Sequence, residues 1–507
     1  MSIIEYENFN LNRDIQTDKS ISNSIFVTHT EAFAQEVENL TIDYEMIRLS
    51  TTRTLMLFTA LTKASVEAIL QLDSVLIIEN VVRVASLGSI TRGTENGITA
   101  QEEIGVNFLK NNPNVQLTGQ GTVIAVIDTG IDYLHKDFIY PDGTSKILYL
   151  WDQSKEGNPP EGFFIGTEYT REDINKAIQE KDSTLSIDEE GQGTMISGIC
   201  AGLGNINREY EGIAPGAELI VVKLGKINGY YNSAMLFTAL QYVYKKSDEL
   251  NLPTVVHVSM GSTGLAGYAS RVNSIDTYFS NGICIVTGAG NEGNTQTHVS
   301  GILTRQGDTV DIGIQIEEEE KSLMIEVWLS RPDRVKLLII SPSGEESKIV
   351  DLSNYNLVSG TFDLEATVYS IRYSYPTSYS GQEHTTIYLT NAKRGIWRLR
   401  LEGAYITGGQ YNVYLQNRVF LNEGTKFNES NPNFTITYPS VQDDVITIGT
   451  YNSITRSLWP SSSRGPNIEN RQKPDVVAPG VNIIGPYLNN SYATITGSSA
   501  AAAHASG

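Results

Sequence analysis

Cysteine and histidine are scarce in this 507-residue sequence. The only two cysteines are Cys200 and Cys284. Two thiols are too few for a disulfide framework or a four-thiolate zinc site, so we expect both to be small core residues. The six histidines are scattered, and none has the spacing of a zinc site. We therefore expect no metal ion and no other cofactor.

Positive charge and long apolar runs are also lacking. The 37 Lys and Arg against 58 Asp and Glu give a formal net charge of −21. This charge repels phosphate backbones and anionic lipid, so we expect neither nucleic acid nor a membrane as a partner. The longest apolar runs, such as residues 337–340, are far shorter than the ~20 residues of a membrane-spanning helix. The first residues lack the basic and apolar regions of a signal peptide, which predicts an intracellular protein.

What the sequence does contain is the balance of an ordinary globular protein, with 40% hydrophobic and 19% charged residues. Its length predicts about three domains. Residues 22–88 alternate strand and helix patterns in the order strand, helix, strand, strand, helix, strand, which is typical of a ferredoxin-like unit. Residues 88–113 are polar and contain several glycines, and we interpret them as a linker.

Two further patterns divide the rest of the chain. Short continuous apolar runs, such as Val123 to Ile127 and Thr254 to Val258, predict a doubly wound α/β fold with a parallel sheet. Strict alternation from about residue 300, as in Val310 to Ile316, predicts an inserted antiparallel β jelly roll. The predicted domains are 1–95, 96–299, 300–435 and 436–507, the last completing the α/β core. The final Ala-rich stretch is typical of the start of a helix, so we expect the sequence to be truncated.

Two motifs place reactive side chains where open α/β sheets carry their sites. Asp128, in Asp128-Thr129-Gly130, follows a buried strand. Ser499 follows a glycine and precedes helix formers, so its hydroxyl is expected at the positive end of a helix dipole. Each has a simpler interpretation, a turn aspartate and a helix N-cap, and the motifs alone do not choose.

A third motif, residues 288–293 with Asn291 inside it, has the glycine spacing of a dinucleotide-binding loop. The residues that follow, 294–298, do not have the pattern of a helix packing back on the sheet. No second strand and helix unit with a ribose-binding acid appears either. A nucleotide site is therefore disfavoured.

Together these blocks resemble the subtilase family of serine endopeptidases. The matching stretches are Val123 to Phe138 for the catalytic-aspartate block, Gly212 to Ala217 for the turn after the histidine helix, Ser259 to Gly261 for the substrate-binding strand, Gly290 to Gly293 for the oxyanion asparagine, and Lys473 to Gly480 for the strand before the serine. The N-terminal unit, the segment Trp151 to Gln153 and the β insertion are similar to the Csp germination proteases of spore-forming bacteria. The resemblance implies a subtilisin-like core, an N-terminal prodomain and an inserted β domain.

The resemblance also implies residue roles. Asp128 and Ser499 match the catalytic aspartate and nucleophile, and Asn291 matches the oxyanion-hole amide. Residues implied to bind an extended peptide are Gly229, Tyr230, Ser259, Met260 and Gly261. Asp137 lies where many members ligate calcium, but a single carboxylate is a weak indication, and we expect an ordinary surface side chain.

One block departs from the family and decides the predicted function. Where subtilases have Gly-His-Gly-Thr-His, this chain has Gly191 to Met195 with Gln192 at the position of the base. An amide has no lone pair that titrates near neutral pH, so it cannot take the serine proton. Removing the base alone lowers subtilisin turnover by about 10⁶. His135 and His504 are the candidate surrogates, and we expect neither within reach of Ser499.

The serine block departs as well, because Ala500 and Ala503 replace the Met and Pro that usually shape its turn. The favoured hypothesis is a catalytically impaired pseudoprotease that acts by binding or regulation, in spore germination signalling. Its partners would be its own uncleaved prodomain and an active protease sibling. The alternative is an active serine endopeptidase that processes the zymogen of a spore cortex hydrolase with a surrogate base.

Overall fold

The N-terminal part of the computed structural model is a small α/β unit. The residues that the structure describes are 5–6, 24–58, 61–91, 100–227, 229–263, 282–351, 357–377, 381–467 and 470–507. The elements of this unit are β1 (Glu5–Tyr6), β2 (Ser24–His29), α1 (Phe33–Val37), β3 (Tyr44–Arg48), β4 (Arg53–Phe58), α2 (Lys63–Leu70) and β5 (Val75–Asn80). The sheet order β1-β5-β2-β4-β3 contains the ferredoxin-like order, which confirms the prediction. Phe33, Val37, Val66 and Ile69 are fully buried or nearly so between the helices and this sheet.

The next stretch was predicted to be a linker, and this prediction was wrong for the described residues. It forms the short strand β7 (Gly88–Thr91) and the helices α3 (Ala100–Glu103) and α4 (Val106–Asn111), and it follows the short strand β6 (Ala85–Ser86). The two strands pair with chain segments that are far away in sequence. Local composition is polar, but backbone pairing with distant strands decides the structure.

The α/β core begins at residue 119 and supplies most of the central sheet. Its elements are β8 (Val123–Asp128), β9 (Ile147–Asp152), β10 (Thr167–Thr170), α5 (Arg171–Glu180), α6 (Gln192–Ala201), β11 (Glu218–Lys223), α7 (Ser233–Leu250), β12 (Thr254–Val258), β13 (Met260–Gly261) and β14 (Ile283–Gly288). Cys200 is buried in α6, and Cys284 is only partly buried in β14.

The inserted domain is an antiparallel sandwich. Its strands are β15 (His298–Ile302), β16 (Thr309–Ile316), β17 (Glu320–Leu329), β18 (Arg334–Ile340), β19 (Val358–Phe362), β20 (Thr367–Ser374), β21 (Glu383–Ala392), β22 (Gly395–Tyr405), β23 (Gln410–Leu415) and β24 (Lys426–Phe427). They form a six-stranded and a four-stranded sheet. The alternating residues Ile312, Ile314 and Ile316 are buried in a core to which both sheets contribute, so the predicted inserted β domain is confirmed.

The chain then returns to the central sheet. The last elements are β25 (Ile446–Asn452), β26 (Ser457–Leu458), β27 (Val476–Pro479), β28 (Ile483–Tyr487), β29 (Ser491–Gly497) and α8 (Ser498–Ser506). The central sheet has the order β10-β9-β11-β8-β12-β14-β25-β26, with β27 also on β25. Its strands are parallel except β10 and β26, which pair antiparallel.

Both faces of this sheet are covered, as the continuous apolar strands predict. On β8, Ile124 and Val126 lie in the cluster that includes α6 and α8, whereas Ala125 and Ile127 lie in the cluster that includes α7. The doubly wound prediction is therefore confirmed. Among the described helices, none combines the length and the apolar character needed to cross a bilayer.

The N-terminal sheet packs on α7. The rings of Phe26 on β2 and Phe237 on α7 meet edge to face with centroids 5.3 Å apart. The Arg53 guanidinium lies over both rings and donates to Glu79 at 2.8 Å. These contacts join β2, β4 and β5 to α7.

Candidate active site

Asp128 ends β8 with its carboxylate fully buried. One oxygen accepts the N–H of Thr129 at 2.7 Å, and the Nε2 of Gln192 lies 3.2 and 3.3 Å from the two oxygens. Burial raises the pKa of Asp128 to about 7, and the negative charge of Asp188 also raises it. Hydrogen bonds from Ser259, Thr129 and Gln192 lower the pKa and so limit this rise. The carboxylate therefore sits in a site that contains no compensating cation among its partners.

Helix α6 begins at Gln192, and the carboxylate of Asp188 positions the start of this helix. Asp188 accepts the N–H of Gly191 at 2.8 Å and the N–H of Thr194 at 2.9 Å, and the hydroxyls of Thr129 and Thr194 also donate to it. The carboxylate thus satisfies the first N–H groups of the helix and joins it to the end of β8. Sequence reasoning missed Asp188, although an acidic residue just before a helix start is a capping signal.

Gly193 lets α6 approach the Asp128 turn. A Cβ at Gly193 would lie 2.1 Å from the carbonyl oxygen of Gly130, which is impossible without moving the backbone. The close approach brings the side chain of the preceding residue, Gln192, onto Asp128. Position 193 therefore requires glycine for a steric reason.

Ser499 lies in the first turn of α8 and is fully buried. Its backbone N–H donates to the carbonyl oxygen of Leu87 at 3.2 Å. Its Oγ has no hydrogen-bond partner among the described residues.

Asn291 lies next to the serine, as the resemblance implies. Its Oδ1 accepts the N–H of Ser498 at 3.0 Å, and the Oγ of Ser498 accepts the N–H of Gly290 at 3.1 Å. The bond uses the amide oxygen of Asn291, so its N–H donors remain without a partner in the described structure. Asn291 thus joins the loop after β14 to the first residue of α8.

Residues 81–91, which we name the cleft segment, cross this site as an extended chain. The N–H of Val84 donates to the carbonyl oxygen of Tyr231 at 3.0 Å, and the N–H of Leu87 donates to the carbonyl oxygen of Ser259 at 2.9 Å. Strand β6 pairs with β13, and β7 pairs with β29, which leads into Ser499. The groove between these strands, which we name the cleft, therefore holds the cleft segment by strand pairing, which is the geometry of β-augmentation.

The bond between Leu87 and Gly88 lies at the serine. The carbonyl oxygen of Leu87 accepts the backbone N–H of Ser499, and the Leu87 side chain is buried. A Cβ at Gly88 would lie 2.8 Å from both the Oγ of Ser499 and the Oε1 of Gln192. The hydroxyl of Ser86 donates to the same Oε1. Residues 86–88 thus pass directly beside the side chains of Ser499 and Gln192.

The predicted peptide-binding residues divide into two groups. Ser259, Met260 and Gly261 contact the cleft segment through the main chain. Tyr230 contacts it through its ring, which lies against Arg83, whereas Gly229 forms the turn before it with a positive φ of 84°. Gly229 therefore shapes the loop, and Tyr230 makes the described contact.

The histidines lie away from the serine hydroxyl. A ring nitrogen of His504 bonds the Ala500 carbonyl at 2.9 Å, and one of His135 bonds the Ser491 carbonyl at 3.1 Å. Burial lowers the pKa of both histidines, and it lowers the pKa of His504 to about 4. His257 is 2.8 Å from the Oγ of Ser259, and burial lowers its pKa to about 3. All six histidines are described, and none bonds the Ser499 hydroxyl.

Asp137 is not the surface side chain that we expected. It is fully buried, and its oxygens accept the N–H of Ile206 at 3.0 Å and the hydroxyl of Tyr492 at 2.7 Å. Within the described ranges, no cluster of three His, Cys, Asp or Glu residues has the arrangement of a metal site. The carboxylate thus has a structural role as a hydrogen-bond acceptor.

Comparison with known proteins gives three consistent findings. A model of the subtilase family matches residues 119–362 and 419–507. Subtilisin of Bacillus sp. strain TA39 is 26% identical over 194 residues, which are 38% of this chain and 39% of that protein. A C5a peptidase of Streptococcus pyogenes serotype M3 is 32% identical over 188 residues, 34% of this chain and 15% of that one. The matched part therefore spans well under half the length of either relative.

A solved structure is similar over a larger share of the chain. The CspB protease of Clostridium perfringens has a TM-score of 0.72 and 28% identity, and the match covers 80% of this chain and 84% of that one. This likeness confirms the resemblance to the Csp proteases. Since the family model spans both parts of the core, including Asp128, Gln192 and Ser499, the chain belongs to the subtilase family.

Proposed function

We propose that this chain is a subtilase pseudoprotease that acts by binding, with its own prodomain held uncleaved in the cleft. One observation carries the proposal. Gln192 stands at the position of the general base, with its Nε2 on Asp128 and its Oε1 on Ser86 of the cleft segment. The side chain thus bridges the core and the bound peptide where an active member moves a proton.

The chemistry of the site supports catalytic impairment. The serine hydroxyl of an active member passes its proton to an imidazole, which then donates it to the leaving amine. Here the amide has no proton affinity near neutral pH, and its Oε1 already accepts a hydrogen bond. Loss of the base in subtilisin lowers turnover by about 10⁶, or ~8 kcal/mol of barrier. The backbone N–H of Ser499 and the side-chain N–H of Asn291 remain as donors for a carbonyl oxygen.

The proposed role follows from the occupied cleft. Without self-cleavage, the prodomain remains covalently attached and blocks the peptide groove. The resemblance to the Csp germination proteases supports a regulatory role in spore germination signalling, in which the chain scaffolds an active protease sibling.

The alternative, an active endopeptidase that processes a spore cortex-lytic zymogen, needs a surrogate base. Such a group must lie within hydrogen-bond reach of the Ser499 Oγ, which has no partner among the described residues. His504 and His135 instead bond main-chain oxygens. The pseudoprotease is therefore the function that we favour.

Intact mass of the purified full chain tests the proposal. We expect the wild type to keep its full mass, and the Gln192→His variant to be cut between Leu87 and Gly88. Adding Ser499→Ala to Gln192→His is the matched control and should prevent that cut. A wild type that is already cut at this bond, and that Ser499→Ala protects, would establish the endopeptidase instead.

A further inference from the structure

Arg83 of the cleft segment lies on an aromatic ring of the core. Its guanidinium carbon is 4.1 Å from the centroid of the Tyr230 ring. The main chain of Arg83 forms a bridge with Asn232, and the next residue, Val84, donates its N–H to Tyr231. The backbone thus fixes which side chain faces the ring, and the geometry is that of a cation–π contact.

The inserted domain also contacts this ring, through Phe420. The ring of Phe420 meets that of Tyr230 with centroids 5.8 Å apart and an interplanar angle of 77°. Phe420 ends a short 3-10 helix, and the preceding Arg418 anchors this loop by donating to the carbonyls of Thr425 at 3.0 Å and Asn422 at 2.8 Å. The sandwich therefore holds an aromatic edge against Tyr230.

The neighbouring ring is already used by the core. The ammonium of Lys226 lies 4.6 Å from the Tyr231 centroid, and both Lys226 and the Tyr231 hydroxyl bond Glu190. Tyr230, which is 37% exposed, is the ring that this loop presents to the cleft segment. A ring face attracts a cation, and it favours arginine because the planar guanidinium also stacks.

We propose that Tyr230 and Phe420 form a subsite of the cleft that selects a cationic side chain four residues before Leu87. The inserted domain then contributes directly to peptide specificity, which neither the family match nor the sequence motifs assign. The proposal deepens the proposed function and rests on it, because it takes the cleft as a peptide-binding site. The preferred occupant is an extended peptide with Arg or Lys at this position and apolar side chains at the positions of Val84 and Leu87.

Hydrogen exchange of the full chain, read at the amides of Val84 and Leu87, tests this subsite. Both amides donate to the core, to Tyr231 and Ser259, so their exchange reports how often the cleft segment leaves the cleft. We expect Arg83→Met, which keeps length but loses charge, and Tyr230→Leu each to speed exchange about threefold. Arg83→Lys should keep most of the protection. Phe420→Leu should speed exchange only where Tyr230 is present.

The double variant decides between a direct contact and separate effects. If Arg83 acts through the ring, Arg83→Met with Tyr230→Leu exchanges no faster than either single variant. Val419→Ala, on the exposed neighbour of Phe420, is the matched control and should change nothing. If the increases in exchange rate of the two single variants multiply in the double variant, or if Arg83→Met has no effect, the subsite is overturned. The proposal of an occupied cleft is not affected by either result. Rapid exchange of the Leu87 amide in the wild type would overturn the occupied cleft and the subsite together.

Discussion

Gln192 donates its side-chain amide to both carboxylate oxygens of Asp128, at 3.2 and 3.3 Å, from the position where an active subtilase carries imidazole. An imidazole that accepts the serine proton becomes a cation and stabilises the aspartate charge, whereas the amide remains neutral. The pair therefore joins α6 to β8 without the electrostatic partnership of a triad.

The charge of Asp128 should reduce stability at neutral and alkaline pH. An exposed aspartate has a pKa of 3.8, and burial raises the pKa of Asp128 in the folded chain to about 7. The unfolded chain therefore loses this proton near pH 4, whereas the folded chain keeps it until about pH 7. Stability from this group is thus lost as the pH rises between these values. Asp128→Asn should raise the free energy of unfolding at pH 8 by at most about 4 kcal/mol, with the gain vanishing near pH 4. Urea unfolding of both proteins measures the difference, and a gain that does not change with pH would contradict this assignment.

Ser86 should contribute to stability through Gln192. Ser86→Ala leaves the Oε1 of the buried Gln192 without this donor, and a buried unsatisfied acceptor costs about 1–3 kcal/mol. Thermal unfolding should show the loss, and Ser89→Ala, on an exposed neighbour, should show none. In a Gln192→Met background the cost of Ser86→Ala should largely disappear. An equal cost in both backgrounds would mean that Ser86 acts through another group.

A side chain at Gly88 should loosen the cleft segment. A Cβ there would lie 2.8 Å from the Ser499 Oγ and the Gln192 Oε1 and 2.9 Å from the Ile495 Cδ1, so Gly88→Ala should force these side chains or the cleft segment to move. We expect an added protease to cut residues 81–91 about tenfold faster, as followed by mass spectrometry. Ser499→Ala in the same chain removes one of the two crowded oxygens and should restore part of the resistance. Unchanged resistance of Gly88→Ala would show that the segment does not pass between these side chains.

Calcium should not stabilise the chain through Asp137. Both carboxylate oxygens already accept hydrogen bonds, from Ile206 and Tyr492. The thermal midpoint should be the same with millimolar calcium and with a chelator. Asp137→Asn should lower stability by about 1–2 kcal/mol, because it weakens these bonds. A calcium-dependent rise in the midpoint that Asp137→Asn abolishes would instead establish a metal site.

The secondary structure and the domain types could be predicted from local patterns. The apolar run that ends at Asp128 becomes a strand buried on both faces, and the alternation from Val310 to Ile316 becomes a sandwich strand with one buried face. Both patterns repeat within a few residues, so sequence alone carries them. The residue at position 192 is equally a matter of sequence, and it already predicts that the serine lacks its base.

The contacts that complete the site could not be predicted in this way. Gly88 to Thr91 has the composition of a linker, and it becomes a strand only because β29, some 400 residues later, supplies hydrogen-bonding partners. The position of Asp188 before α6 signals a helix cap, but its bond to Thr129 at the end of β8 appears only in the tertiary structure. Sequence by itself determined the strands of the core and of the inserted domain, and the glutamine at position 192. Tertiary structure alone decided that Leu87 lies at Ser499 and Arg83 on Tyr230, because those contacts join residues that no local pattern relates.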